Sequence, residues 1–171
     1  MKFNSDLFKN ICNKMCISIE TFKSVKIELV NKNGEICLYS PQRRYKKKNG
    51  SLLNGLTQDT SFCRFLRMEL PKTSGVYLWV DDEDEIIYIG ETKNLYNRFN
   101  DGYGRISPRN CYKDGQYTNI KMNMAALAEY ENNRAITIYY FETGSHKDIE
   151  KHLLCCINTK FNTKNNKGCT L

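Results

Sequence analysis

Two tyrosines, an arginine and a glutamate follow one another along this chain in an order that could serve phosphodiester cleavage. They are Tyr77 in Gly75-Val76-Tyr77, Tyr88 in Tyr88-Ile89-Gly90, then Arg98, then Glu150. That chemistry needs an activated water, stabilised charge on the phosphate and help for the leaving oxygen. A carboxylate such as Glu150 can hold one divalent cation. A hard ion held by one protein carboxylate, water and substrate phosphate is typical of magnesium. Arg98 can offer a bidentate fork to non-bridging phosphate oxygens. A tyrosine hydroxyl can position or deprotonate water, although a reference pKa of about 10 disfavours the base unless a cation lowers it. Singly, each residue has a bland reading: a packed strand aromatic, a surface arginine, a solvated helix edge.

The elements around them must do the positioning. Gly75 to Val80 reads as a strand, Asp81 to Glu85 as an acidic turn and Ile86 to Gly90 as the returning strand. Such a hairpin can put both tyrosines on one face. The five consecutive carboxylates read as a solvated tip, because neighbours in a turn point apart and repel. Thr92 can cap a helix carrying Leu95, Arg98 and Phe99, closed by Gly102 and Gly104. A polar loop is expected from Tyr103 to Asn123, a helix from Met124 to Asn132 and a third strand from Ala135 to Phe141. Ser145 and Asp148 suggest a capped helix start. Ile149, Leu153, Cys156 and Ile157 then form an apolar stripe, with Glu150 at its edge.

Upstream, Leu7, Phe8, Ile11, Cys12, Met15 and Cys16 repeat at helical spacing over residues 5–16, with Ser5 as the N-cap. Val25 to Val30 and Glu35 to Tyr39 alternate like strands about Asn33-Gly34, a hairpin signal. A helix is predicted over residues 57–68, and Pro71 marks a boundary. The expected organisation is a basic extension over residues 1–70, for DNA binding or dimerisation, and a catalytic domain over residues 71–171.

Charge supports that division. Residues 1–70 hold 13 Lys and Arg against 6 Asp and Glu, while residues 71–171 hold 13 of each, so the net +7 belongs to the first part. It peaks at Arg43, Arg44, Lys46, Lys47 and Lys48, interrupted by Tyr45, a pattern suited to a phosphate backbone. With 40% hydrophobic and 26% charged residues the composition is that of a globular protein. No apolar run is long enough to span a bilayer or to form a signal peptide, so a cytoplasmic location is expected. None of the eight cysteines forms a Cys-x-x-Cys pair and only two histidines are present, which argues against a disulfide framework and a structural zinc.

The ordered set resembles the GIY-YIG nuclease family. Gly75-Val76-Tyr77 matches the first motif with valine for isoleucine, Tyr88-Ile89-Gly90 matches the second, and the tyrosines stand 11 residues apart. The resemblance covers about residues 72–165. It implies an α+β fold: a small three-stranded antiparallel sheet flanked by helices, here with an N-terminal α/β extension. It implies that Tyr77 acts as general base or orients water and that Tyr88 assists. Arg98 would stabilise the transition state, and Glu150 would bind one Mg2+ or Mn2+ per site. Asn162 would brace the site, and Tyr103 is the candidate for an auxiliary position just after the arginine helix.

The polar stretch from Gly102 to Asn119, with Lys121 and Asn123, is similar to the insert of restriction-endonuclease-like members. It offers Arg105, Arg109, Lys113, Gln116, Asn119 and Lys121 as DNA contacts. The expected function is a sequence-specific type II restriction enzyme acting on double-stranded DNA, as a homodimer because one site cuts one strand. The alternatives are a homing or repair-type nicking member and, outside enzymes, a DNA-binding module.

Overall fold

The computed structural model describes residues 1–44 and 52–162. The chain makes two compact units, and each draws on distant stretches of sequence. The first comprises Met1–Lys26, Leu70–Leu95 and Arg134–Leu171; the second comprises Ile27–Glu69 and Tyr96–Asn133.

The first unit is built on a four-stranded antiparallel sheet. Its strands are β1 (Lys23–Lys26), β4 (Gly75–Val80), β5 (Ile86–Thr92) and β6 (Thr137–Glu142), in the order β1-β6-β4-β5. The three strands expected from the sequence form its centre and one edge; β1 is the addition. All six residues of β4 are buried, consistent with its unbroken apolar run. Strand alternation sorts them by face. Val76, Leu78 and Val80 join Ile86, Ile89 and Phe141 in the main core, and Tyr77 and Trp79 point the other way. Two helices supply the rest of that core: α1 (Asp6–Lys14) through Phe8, Ile11 and Cys12, and α4 (His146–Cys156) through Leu153 and Leu154. Ser5 caps α1 as expected, its hydroxyl accepting from the Phe8 N–H at 3.3 Å.

The acidic turn between β4 and β5 is closed by its own carboxylates. Asp81 Oδ1 accepts the N–H groups of Glu83 (3.0 Å) and Glu85 (2.9 Å). Asp84 sits at φ 64 and accepts from Asn4 N–H at 2.9 Å. These acids satisfy backbone donors, the common use of Asp in turns.

In the second unit, β2 (Asn31–Lys32) and β3 (Glu35–Ile36) form a short hairpin. Asn33 (φ 53) and Gly34 (φ 85) both take the left-handed conformation that a two-residue hairpin turn demands. A short helix, α2 (Leu95–Asn97), begins in the first unit and runs on into a π-helical turn, Arg98–Tyr103; then comes α3 (Tyr117–Glu131). A small core of Phe62, Ile106, Cys111 and Ile120 is edged by Tyr39, Leu53 and Met124. Asn123, fully buried, ties it together: its Nδ2 donates to the carbonyls of Cys63 (2.9 Å) and Tyr103 (2.8 Å).

Several sequence expectations are corrected. Residues 57–68 form no helix beyond the single 3-10 turn Gly55–Thr57. They run extended and pair with distant chain: Phe62 exchanges backbone bonds with Tyr39 (2.8 and 2.9 Å), and Leu66 N–H reaches Glu28 O at 2.7 Å. A short apolar run fits either period, and the deciding partners are non-local. Helix α3 begins seven residues before Met124, because the buried polar residues Asn119 and Asn123 disguise its inner face. The segment from Val25 splits, Lys23–Lys26 joining β6 instead of the Asn33-Gly34 hairpin. Ser145 makes no side-chain cap. Residues 1–70 are thus shared between the two units: 1–26 complete the sheet of the first, and 27–69 belong to the second.

Candidate active site

The tyrosine pair comes from strand register. Tyr77 on β4 lies opposite Gly90 on β5, and Trp79 lies opposite Tyr88. Both tyrosines therefore share the face turned away from the α1–α4 core, with ring centroids 6.3 Å apart and planes tilted by 39°. Tyr77 is fully buried and Tyr88 nearly so. Gly90 explains the arrangement sterically. A Cβ there would fall 2.5 Å from the Tyr77 hydroxyl oxygen and 2.6 Å from Cζ, so only glycine lets the phenol lie across β5.

Strand β5 is an edge of its sheet, and Asn162 occupies part of that edge. Its Nδ2 donates to Ile89 O and its Oδ1 accepts from Ile89 N–H, both at 2.8 Å. The amide thus imitates a strand partner for the residue between Tyr88 and Gly90. Thr159 Oγ1 donates to Asn162 Oδ1 at 2.6 Å and holds the amide in place. Phe161 N–H adds a bond to Ile87 O at 3.0 Å. Ile87 is the residue skipped by the register where Trp79 pairs with Tyr88 and Val80 with Ile86.

Glu150 stands on α4, half-buried at the margin of its apolar side. His146, one turn earlier, is buried, and its Nε2 lies 3.4 Å from Glu91 Oε2 on β5. That contact ties the first turn of α4, and with it the start of the Glu150 helix, to the strand after Gly90. Among the described residues no three His, Cys, Asp or Glu side chains gather as a metal cluster. The donor set at Glu150 is one hard carboxylate, which fits a magnesium-type ion completed by water and phosphate and does not fit zinc.

Arg98 is positioned within the second unit. Its guanidinium lies 4.3 Å from the centroid of the Tyr103 ring, and its Nη1 donates to Asn119 Oδ1 at 3.1 Å. Asn119 Nδ2 in turn donates to Gln116 Oε1 at 3.0 Å. Tyr103 is fully buried, packed edge-on to Phe99, and serves as the platform under the guanidinium. The π-helical turn brings residues 98 and 103 together, because its i to i+5 repeat stacks them on one side. Asn119, read from the sequence as a DNA contact, is 3% exposed and engaged with Arg98. Its placement is corrected accordingly: burial behind Arg98 makes it a partner of that side chain.

The other expected DNA contacts are distributed. Arg43 and Arg105 line one cleft of the second unit. Arg109, Lys113 and Gln116 are exposed on the approach to α3. Lys121 is half-buried on α3, and desolvation lowers its pKa. Arg44 ends the 3-10 turn Pro41–Arg44, and Lys46, Lys47 and Lys48 lie outside the described residues. The contact of Glu91 with His146 was not read from the sequence. Gly90 was read within Tyr88-Ile89-Gly90, and its clearance of Tyr77 carried a signal as a glycine in a strand facing an aromatic.

The family model described as the GIY-YIG catalytic domain matches residues 73–165, more than half of the chain. The UvrABC system protein C of Prochlorococcus marinus subsp. pastoris is 33% identical over 89 residues, covering 50% of this chain and 13% of that protein. The UvrABC system protein C of Treponema denticola is 55% identical over 31 residues, 18% of this chain and 5% of that protein. The chain therefore spans a small part of these relatives. No solved structure shows a significant match.

Proposed function

The chain belongs to the GIY-YIG catalytic-domain family, and from that premise we propose that it is a metal-dependent DNA endonuclease. The observation that carries the reading is the tyrosine pair on one sheet face, with Gly90 clearing room for the Tyr77 hydroxyl and Asn162 holding the strand between them.

In the proposed reaction, Tyr77 either orients the attacking water by hydrogen bonding or, ionised to its phenolate by a nearby cation, takes its proton as that water attacks phosphorus and the bond to the 3′ oxygen breaks. Tyr88 holds the water or a phosphate oxygen alongside. Arg98, flattened on Tyr103 and held by Asn119, would turn its guanidinium to the equatorial oxygens of the transition state. Glu150 would hold a single Mg2+ or Mn2+, which supplies charge stabilisation at the leaving 3′ oxygen. One such site cuts one strand, so double-strand cleavage requires a homodimer or two successive nicks.

The finer reading is a sequence-specific restriction-type enzyme. It is supported by the second unit, whose exposed Arg43, Arg105, Arg109, Lys113 and Gln116 offer contacts that catalysis alone does not need. A repair-type member that nicks one strand is the second reading, favoured by the similarity to the two UvrABC system protein C sequences. A magnesium-dependent digest of a long DNA of known sequence separates them. Discrete fragments with common ends are expected for the restriction reading; nicked circles or a smear would favour the repair reading; intact DNA under every divalent metal would overturn the endonuclease.

A further inference from the structure

The second unit contains an open cleft of about 840 Å³ lined by Arg43, Arg64 and Arg105, with Asp101 as its one carboxylate. Its walls are the 3-10 turns Pro41–Arg44 and Pro108–Cys111, each begun by a proline, which pack on one another. They are held rigidly. Ser107 Oγ donates to Asn110 Oδ1 at 2.7 Å, and Gln42 Nε2 donates to Thr60 O at 2.6 Å. On the floor, Tyr39 donates its hydroxyl to Ile106 O at 3.1 Å, and Arg64 lies over its ring at 4.7 Å. Burial pushes the Tyr39 phenol up to about 12, so this hydroxyl remains a donor and adds no negative charge.

None of the three guanidinium groups forms an ion pair among the described residues. Three like charges line one concavity against a single carboxylate, leaving a net positive potential that an anion entering it would neutralise. The cleft is far larger than a single phosphate requires, and its arginines come from three separate stretches of chain. An occupant must therefore present several negative charges in succession.

We propose that this cleft grips consecutive phosphates of the DNA backbone, as an anchoring site distinct from the tyrosine and arginine groups assigned to the chemistry. It rests on the endonuclease reading and adds Arg64, outside the family match, to the residues that hold substrate. Arg64 lies over the Tyr39 ring, and its planar guanidinium offers several donors suited to phosphate oxygens.

The test is equilibrium binding of a fluorescent duplex to the full chain without divalent metal, across a salt series. The wild type is compared with the Arg64→Gln/Arg105→Gln double variant. Both side chains are exposed, so the fold should persist; Arg43→Gln alone is the second variant. The double variant should bind about tenfold more weakly, and the slope of log K against log salt should fall by about 1.8. Arg43→Gln should lower it by about 0.9. Arg64→Lys/Arg105→Lys should keep most of the slope. An unchanged slope in both glutamine variants, with wild type binding normally, overturns the cleft assignment alone. Displacement of the duplex by low concentrations of inorganic phosphate would also overturn it, showing a free-anion site. If the wild type binds no duplex at all, the endonuclease reading falls as well.

Discussion

At the scale of single residues, Gly90 and Asn119 decide more than their types suggest. Placing a methyl group at Gly90 puts it 2.5 Å from the Tyr77 hydroxyl, against a neighbouring strand β4 whose six residues are all buried. Gly90→Ala should therefore rotate or expel the Tyr77 ring, costing about 1–3 kcal/mol of stability. Cleavage should fall by far more than that stability loss explains; thermal unfolding and cleavage rate on one preparation check both. Asn119→Ala removes the acceptor of Arg98 Nη1. A hydrogen bond to a charged group is worth about 1.5–3 kcal/mol, so cleavage should slow roughly ten- to a hundredfold while duplex affinity holds. Equal losses in affinity and rate would instead make Asn119 a DNA contact. Motif order exposes the tyrosines, Arg98 and Glu150 as candidates in the sequence. The contact of Asn119 with Arg98 was not legible, because a buried asparagine and a solvated one look alike without the fold.

At the scale of elements, the edge of β5 is the feature to probe. Asn162 satisfies both backbone groups of Ile89, and its loss would leave a donor and an acceptor to water or to nothing. Asn162→Ala should cost about 1–3 kcal/mol. The amide of Ile89 should exchange hydrogen much faster, with the amide of Leu78 on the central strand largely spared; equal acceleration throughout the sheet would mean global destabilisation. Elements whose pattern is local were read well: α1 with its Ser5 cap, the β4–β5 hairpin, β6 and α4. Those settled by distant partners were not. Residues 57–68 carry Phe62, Cys63, Phe65 and Met68 at spacing that imitates a helix, and distant backbone at Glu28, Val30, Tyr39 and Gly104 makes them extended. The same holds for β1, whose place beside β6 is invisible in its own four residues.

At the scale of the whole molecule, several buried acids bear on stability. Burial raises the thiols of Cys12 and Cys111 from 9.0 to about 11, that of Cys63 to about 12, and the Tyr39 phenol from 10.0 to about 12. Each folded-state pKa exceeds the unfolded one, so the neutral form is favoured by folding. Their contribution is complete below pH 9 and is lost as pH rises toward 11–12. The melting temperature should hold from neutral pH to about 9 and then fall steeply; a flat profile to pH 11 would contradict this burial. The two units are drawn from separate stretches of sequence: a unit boundary falls between Glu69 and Leu70, beside the charge boundary, while Met1–Lys26 share a unit with the strands that follow it. Charge reports what a surface meets, and packing reports what a strand needs beside it. The central claim, that these residues form a metal-dependent nuclease site, is tested most directly at Glu150. Cleavage and duplex binding should be measured together for Glu150→Ala and wild type, with magnesium. Cleavage should fall at least about a thousandfold with affinity within about threefold of wild type. Undiminished cutting by Glu150→Ala would contradict it.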